Sequence, residues 1–213
     1  MYYSSASSSQ RTPIKENRIL QLFLLVFAIC WIGTFINTTD KVNWYIENIL
    51  TLIFMVGLIY SYRKFVFSDL SYTLIFAFML LHVYGSEYTY AENPAGYWLK
   101  DTFGLARNQY DRIVHFSFGF LLTYPLMDYF KNWFKWPVWV CFVLPVEITM
   151  SFSGLYEIIE WLVADVFFKE QGTAYLGTQG DIWDAQKDMA LAFFGAVLSM
   201  FFTYMGIKLV KRR

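Results

Sequence analysis

GDIWDAQKD, Gly180 to Asp188, puts three aspartates, a lysine and a glutamine into nine residues, directly before an apolar run from Met189 to Val210. Acids at the mouth of a membrane helix are costly unless they pair, protonate, reach water or hold a cation. The stretch therefore sets two expectations: a membrane helix beginning near Asp184, and a polar site at its outer end.

The 213 residues are 57% hydrophobic and only 16% charged, with a formal net charge of zero. Mean hydropathy is +0.37. Soluble domains carry about 25% charged residues, so this balance favours a membrane protein with the lipid bilayer as its main partner. Aromatic residues make up 22% and suit interfacial belts. No basic patch lies outside the chain ends, which argues against nucleic acid as a partner. Cys30 and Cys141 fall in apolar runs at different depths, so a disulfide is not expected.

Residues 1–18 are polar and Ser-rich and read as a disordered tail. The run Ile19 to Ile36 is too long for the apolar core of a signal peptide and reads as an uncleaved first span. Further spans follow over about 45–62, 70–85 and 111–129, with a long loop between the last two, from Ser86 to Tyr110. Long loops are often functional. Pro137 to Phe168 would form a helix roughly 48 Å long at 1.5 Å per residue. A bilayer core needs about 30 Å. That helix should either project beyond the membrane or break near Pro145 or Ser151–Gly154. The last span ends in a basic tail, residues 211–213.

Loop charges orient the spans. Arg11, Lys15, Arg18, Arg63, Lys64, Lys131, Lys135, Lys208, Lys211, Arg212 and Arg213 fall on one side. The positive-inside rule then gives an all-α, polytopic protein of about six transmembrane helices, with both termini cytoplasmic and one membrane domain over 19–210.

With that topology, polar residues gather at one depth near the outer face. His82 and Ser86 close the third span, and Asp111 and His115 open the fourth at i, i+4, with Arg112 beside them. Glu157 and Glu160 lie at i, i+3 in the fifth, Asp184 and Asp188 at i, i+4 in the sixth, and Glu47 and Asn48 open the second. Each pair shares a helical face. Like-charged pairs in a desolvated cavity demand protons or a cation. Imidazole with carboxylates suits Zn²⁺, Fe²⁺ or Mn²⁺, so a divalent transition metal is the candidate cofactor. The candidate ligands are His82, Asp111, His115, Glu157 and Asp184. Glu157, Glu160, Asp184 and Asp188 are candidate acid–base groups, and Arg112 a candidate anion clamp.

Each residue also has a plainer reading. Asp111, Asp181 and Asp184 suit helix N-termini, where they meet the positive end of the dipole. Glu87 reads as a solvated loop acid, Asp165 as an interfacial one, and either histidine as a hydrogen-bonded structural residue. Glu147 falls near mid-membrane with no visible partner. No phosphate loop, GxSxG elbow, HExxH or CxxC is present, and no internal repeat.

Four strings, LHVYGSEYTYAENPAG, ARNQYDRIVHFSFGF, SGLYEIIEW and YLGTQGDIWDAQKDMA, resemble the YjdF family of bacterial inner-membrane proteins. The resemblance covers nearly all of the chain after the Ser-rich tail. It implies a small multi-span protein of the bacterial inner membrane and carries no established chemistry. The order DRxxHF, a mid-chain acid, then DxxKD is loosely similar to VanZ-like membrane proteins, in layout only.

Three functions remain open at this level. The first is a metal-assisted hydrolase or transferase acting on a lipid-linked or envelope substrate. The second is a small transporter or ion- and proton-binding protein, and the third a structural or regulatory subunit. A transporter should place acids through the full membrane depth, whereas these crowd one leaflet, which favours a site over a pathway.

Overall fold

The computed structural model describes residues 12–167 and 178–211. Among them the secondary structure is helical throughout: α1 (Arg18–Asn37), α2 (Lys41–Tyr62), α3 (Asp69–Glu87), α4 (Pro94–Phe103), α5 (Tyr110–Tyr129), α6 (Val138–Leu162) and α7 (Asp184–Lys211). Single wide turns, Phe130–Phe134 and Val163–Phe167, extend α5 and α6. Most of the expected Ser-rich tail (residues 1–11), Lys169 and the last two residues of the basic end lie outside the described residues.

Side-chain caps start the first three helices. Asn17, Asp40 and Ser68 each accept a backbone N–H from three residues on. Residues 12–17 form a turn that leads into α1, and the Ile14 amide donates to the Tyr62 hydroxyl at 2.6 Å.

One expectation needs correcting. The long loop after the third span contains a ten-residue helix, α4. Asn93 caps it, Pro94 opens it, and Gly104 closes it in a left-handed conformation at φ 63°. Those are ordinary start and stop signals spread across a polar stretch. The fifth span had two expected outcomes, and α6 runs unbroken through Pro145 and Ser151–Gly154. A proline removes one backbone bond, which a packed membrane helix absorbs. Among the described residues the helix is continuous, without the break that was the other expected outcome.

Among the described residues four helices are long and apolar enough to cross a membrane: α1, α2, α6 with its wide turn as far as Val166, and α7 as far as Val210. The other two long helices, α3 (19 residues) and α5 (20 residues), are less apolar, and their position explains it. α3 packs against α1, α2 and α5, while α5 packs against α3, α4, α6 and α7. Enclosed by neighbours, they carry small and polar groups instead of lipid-facing chains. α1 shows the opposite habit, with Ile19, Leu22, Leu25, Ile29, Ile32 and Ile36 exposed.

Lipid tails are as apolar as leucine, so helices in a bilayer associate through close packing and hydrogen bonds. The tightest seam is between α5 and α7. A Cβ on Gly119 would collide with the Ala192 carbonyl, and one on Gly195 with the Phe116 carbonyl. Ala192 and Ala196 are fully buried in this seam. The two backbones touch, and that contact positions the site.

Candidate functional site

One turn from the seam, small residues give way to polar ones on both helices. α5 carries Asp111, His115 and Gly119 at successive i, i+4 positions, and α7 carries Asp184, Asp188 and Ala192 in the same way. Because Gly119 and Ala192 meet, the next turn puts His115 opposite Asp188. Asp111, His115 and Asp188 each present a ligand atom, and all three atoms lie within 4.8 Å of one another. His115 Nε2 is 3.4 Å from Asp111 Oδ1.

α6 supplies the third wall. Glu157 Oε1 lies 3.6 Å from His115 Nε2. A side-chain hydrogen bond joins Glu157 to Glu160. The Tyr156 ring meets His115 edge-on at 5.6 Å between centroids. Its hydroxyl donates to Glu47 Oε2 at 3.3 Å, bringing buried Glu47 of α2 into the same layer.

His82 of α3 is held separately. Its Nδ1 lies 2.5 Å from the Tyr90 hydroxyl. Burial pushes that phenol well above its usual range, so it stays a donor in the turn after α3. His82 Nε2 is buried without a hydrogen-bond partner.

A latch of ion pairs closes the outer end. Buried Arg107 pairs with buried Asp184 and also donates to the Thr178 carbonyl at 3.1 Å. Arg112 reaches Asp181 at 2.5 Å and Asp184 at 3.4 Å. Lys187 meets Asp181 at 2.6 Å. The Lys187 ammonium, the Trp183 amide and Arg112 hold the Asp181 carboxyl down at about 2. Gln179, at φ 48°, keeps an unfavourable backbone because its side chain pairs with both backbone groups of Asn108, at 2.9 and 3.2 Å.

The structure thus brings together Asp111, His115, Asp188 and Glu157, with Glu160 behind them. Asp184 is turned to Arg107 and Arg112, and His82 to Tyr90. Arg112 faces Asp181 and Asp184, with its Nε buried and unbonded. Sequence reasoning missed Arg107, Tyr90, Tyr156 and the Asn108–Gln179 pairing. Arg107 lies five residues before Arg112, on the same polar string, where no local spacing pairs it with Asp184.

The electrostatic balance of the centre is lopsided. With both arginines committed to Asp181 and Asp184, His115 is the one basic group among the described residues at ion-pair distance from Asp111 and Glu157. Asp188 is 2% exposed, and its Oδ1 and Glu157 Oε1 are buried without a hydrogen-bond partner. Buried polar atoms are normally satisfied, so two orphaned carboxylate oxygens beside one imidazole carry an electrostatic cost that a proton or a cation relieves.

The family described as "Predicted membrane protein (DUF2238)" matches residues 19–208. The chain is 32% identical to the Escherichia coli (strain K12) protein named "Inner membrane protein YjdF" over 186 residues, covering 86% of this chain and 88% of that one. No solved structure matches it. The matched range takes in every residue of the polar centre and, apart from the first residue of α1 and the last three of α7, the long helices of the described residues. This multi-pass membrane protein therefore belongs to the DUF2238 family.

Proposed function

We propose that the protein is a metal-assisted hydrolase or transferase of the bacterial inner membrane, acting at its outer face on a lipid-linked or envelope substrate. Asp111, His115 and Asp188 hold a divalent transition metal, with Glu157 as a fourth ligand or as the base beside it. The observation that carries this reading is the convergence of those three ligand atoms within 4.8 Å beside the orphaned oxygens of Asp188 and Glu157. A tetrahedral metal with ligands at 2.0–2.1 Å sets its donor atoms roughly 3.3 Å apart. His115 Nε2 already lies 3.4 and 3.6 Å from Asp111 Oδ1 and Glu157 Oε1, so small rotamer changes complete the shell.

A metal held by these residues would lower the pKa of a bound water and so would supply a nucleophile near neutral pH. Glu157 and Glu160, joined by their hydrogen bond, lie where they can take the water's proton and return it to the leaving group. Arg112 turns its unbonded Nε to an anionic substrate group, while Asp184 and Asp181 orient it. His82, through Tyr90, lines the far wall and enters as a proton relay rather than as a ligand.

The reading includes six spans with both termini cytoplasmic. The up-and-down order of the six long helices supports it, as does the basic excess at the end opposite the polar centre. The relative's printed name supports the inner membrane.

Elemental mass spectrometry on protein purified without chelator tests the metal. Near-stoichiometric transition metal is expected, lost in Asp188→Asn. Metal-free, well-folded wild type would sink the reading. Metal without turnover on any lipid-linked phosphate or ester would reduce it to ion binding.

A further inference from the structure

Among the described residues the polar centre is closed by packing on every side but one. Above it, Arg107, Asn108 and Asp184 are buried in the latch. Below it, the fully buried Thr123 and Thr149 hydroxyls meet at 3.0 Å. The α5–α7 seam closes the back, and α3 packs along the flank of α5. The remaining side lies between α2 and α6. There α2 packs against α3, and α6 against α5 and α7. The two meet through side-chain tips, where the Tyr156 hydroxyl donates to Glu47 Oε2 at 3.3 Å. Helices in direct contact lie about 8–10 Å apart, and a tyrosine and a glutamate joined end to end span more than that. Tyr156, Glu157 and Glu160 are only half-buried, whereas the latch above them is buried.

Depth and lining define what can pass. Glu47 lies about 9 Å along α2 from Lys41, and Tyr156 about 9 Å along α6 from Leu162. One leaflet contributes about 15 Å of hydrocarbon, so this tie sits among acyl chains. Three or four residues from it, the lipid-side positions are apolar: Leu50 on α2, and Phe152 and Ile159 on α6. The inward positions are polar, with Thr51 on α2 and Ser153 on α6, both 2% exposed. Thr51 Oγ1 and Ser153 Oγ are buried without a hydrogen-bond partner. The passage is thus apolar outside and unsatisfied within, which matches an amphiphile entering headgroup first.

We propose that the gap between α2 and α6 is a lateral entrance, through which a lipid of the outer leaflet brings its headgroup to the centre while its tails stay in the bilayer. Tyr156 is the bolt: its hydroxyl leaves Glu47, the side chain swings aside, and the Thr51 and Ser153 hydroxyls receive the headgroup. The inference rests on the proposed function and narrows it. The substrate is drawn from the membrane itself, whereas a water-soluble envelope molecule would have to cross the latch.

Photolabelling tests it, with the full chain in vesicles of phosphatidylethanolamine and phosphatidylglycerol. A fraction of the phosphatidylglycerol carries a diazirine on its headgroup. Peptide mass spectrometry reads adducts on Glu157 and Glu160 against those on Asp165, an exposed acid in the wide turn after α6 that reports lipid outside the bundle. Wild type should be labelled at Glu157 or Glu160. Tyr156→Phe keeps the ring and removes the tie, and should raise that labelling about fivefold relative to Asp165, the effect of losing one hydrogen bond of ordinary strength. Leu50→Trp, at a half-buried position in the mouth, should lower it. Excess soluble glycerol phosphate should not compete. Labelling confined to Asp165, labelling indifferent to either variant, or labelling displaced by glycerol phosphate would each overturn the proposal. The readout needs no metal and should persist in Asp188→Asn, so the photolabel and the elemental analysis fail separately.

Discussion

α5 carries an acid near each end, Asp111 half-buried and Asp128 buried, and the two are treated in opposite ways. At the far end Asp128, 3% exposed, accepts from the Ser68 amide at 3.1 Å, the Ser71 hydroxyl at 2.8 Å and the Asn132 amide at 2.6 Å. Every donor in that cluster also does structural work: Ser68 caps α3, and Asn132 ties the wide turn Phe130–Phe134 to the helix it extends. At the near end Asp111 faces His115, Asp188 and Glu157, with two carboxylate oxygens unsatisfied. A satisfied buried acid rigidifies a fold, whereas clustered unsatisfied acids store an electrostatic cost that a ligand can relieve. That difference separates a structural polar cluster from a candidate site more sharply than burial or charge count.

Opposite mutational signatures would break or sustain the contrast. At the near end, His115→Ala should empty the metal site and lower turnover by about a thousandfold, equivalent to about 4 kcal/mol at the barrier. Asp188→Asn should do the same, and compared with metal-free wild type it should leave the unfolding midpoint unchanged or higher, because there it removes an uncompensated buried charge. Elemental analysis and thermal unfolding in detergent read the two effects separately. A fall in midpoint with metal retained would place the near end in the structural class.

Arg107→Met strips a buried partner from Asp184 and should cost about 3 kcal/mol. Hydrogen exchange across 178–188 should rise more than exchange elsewhere, since Arg107 also holds the Thr178 carbonyl. At the far end, Asp128→Asn turns a donor toward donors already in place and should cost about 2 kcal/mol, with metal content untouched. Loss of metal in Asp128→Asn would show that the two ends are not independent.

The site was more legible than its surroundings. Asp111 with His115, and Asp184 with Asp188, could be placed on single faces from spacing alone, because an i, i+4 pair is fixed by helical geometry. Which pairs would meet could not be read, because that depends on Gly119 and Gly195 letting α5 and α7 touch, and lone glycines in apolar runs resemble any others. Asp184 shows the limit. It has the right type, spacing and depth for a ligand, yet Arg107 takes it, and Arg107 comes from the far end of α4's connection to α5. Long-range pairing of that kind leaves no local pattern. α4 was missed for another reason: its signals, Asn93-Pro94 and Gly104, bracket only ten residues in a polar stretch.

The smallest expected effect tests the outer latch alone. Asp181 sits outside the membrane helices, held at about 2 against an ordinary 3.8 by Lys187, the Trp183 amide and Arg112. A carboxyl whose folded value is depressed contributes its full stabilisation above the unfolded value and loses it as pH falls through the folded one. The latch should therefore be unchanged from neutral pH down to about 4 and weaken only between about 4 and about 2. Amide exchange in residues 178–184, corrected for the intrinsic rate, should trace that window, and Asp181→Asn should flatten it. Added salt should mimic part of the acid effect, because Lys187 is half exposed and its pair with Asp181 is screened. The Arg107–Asp184 pair is buried on both sides and should hold through the same salt series. If both pairs weakened together, the latch would be one cooperative unit continuous with the centre, and the boundary between a solvated rim and an unsatisfied interior would have to move outward to Asp181.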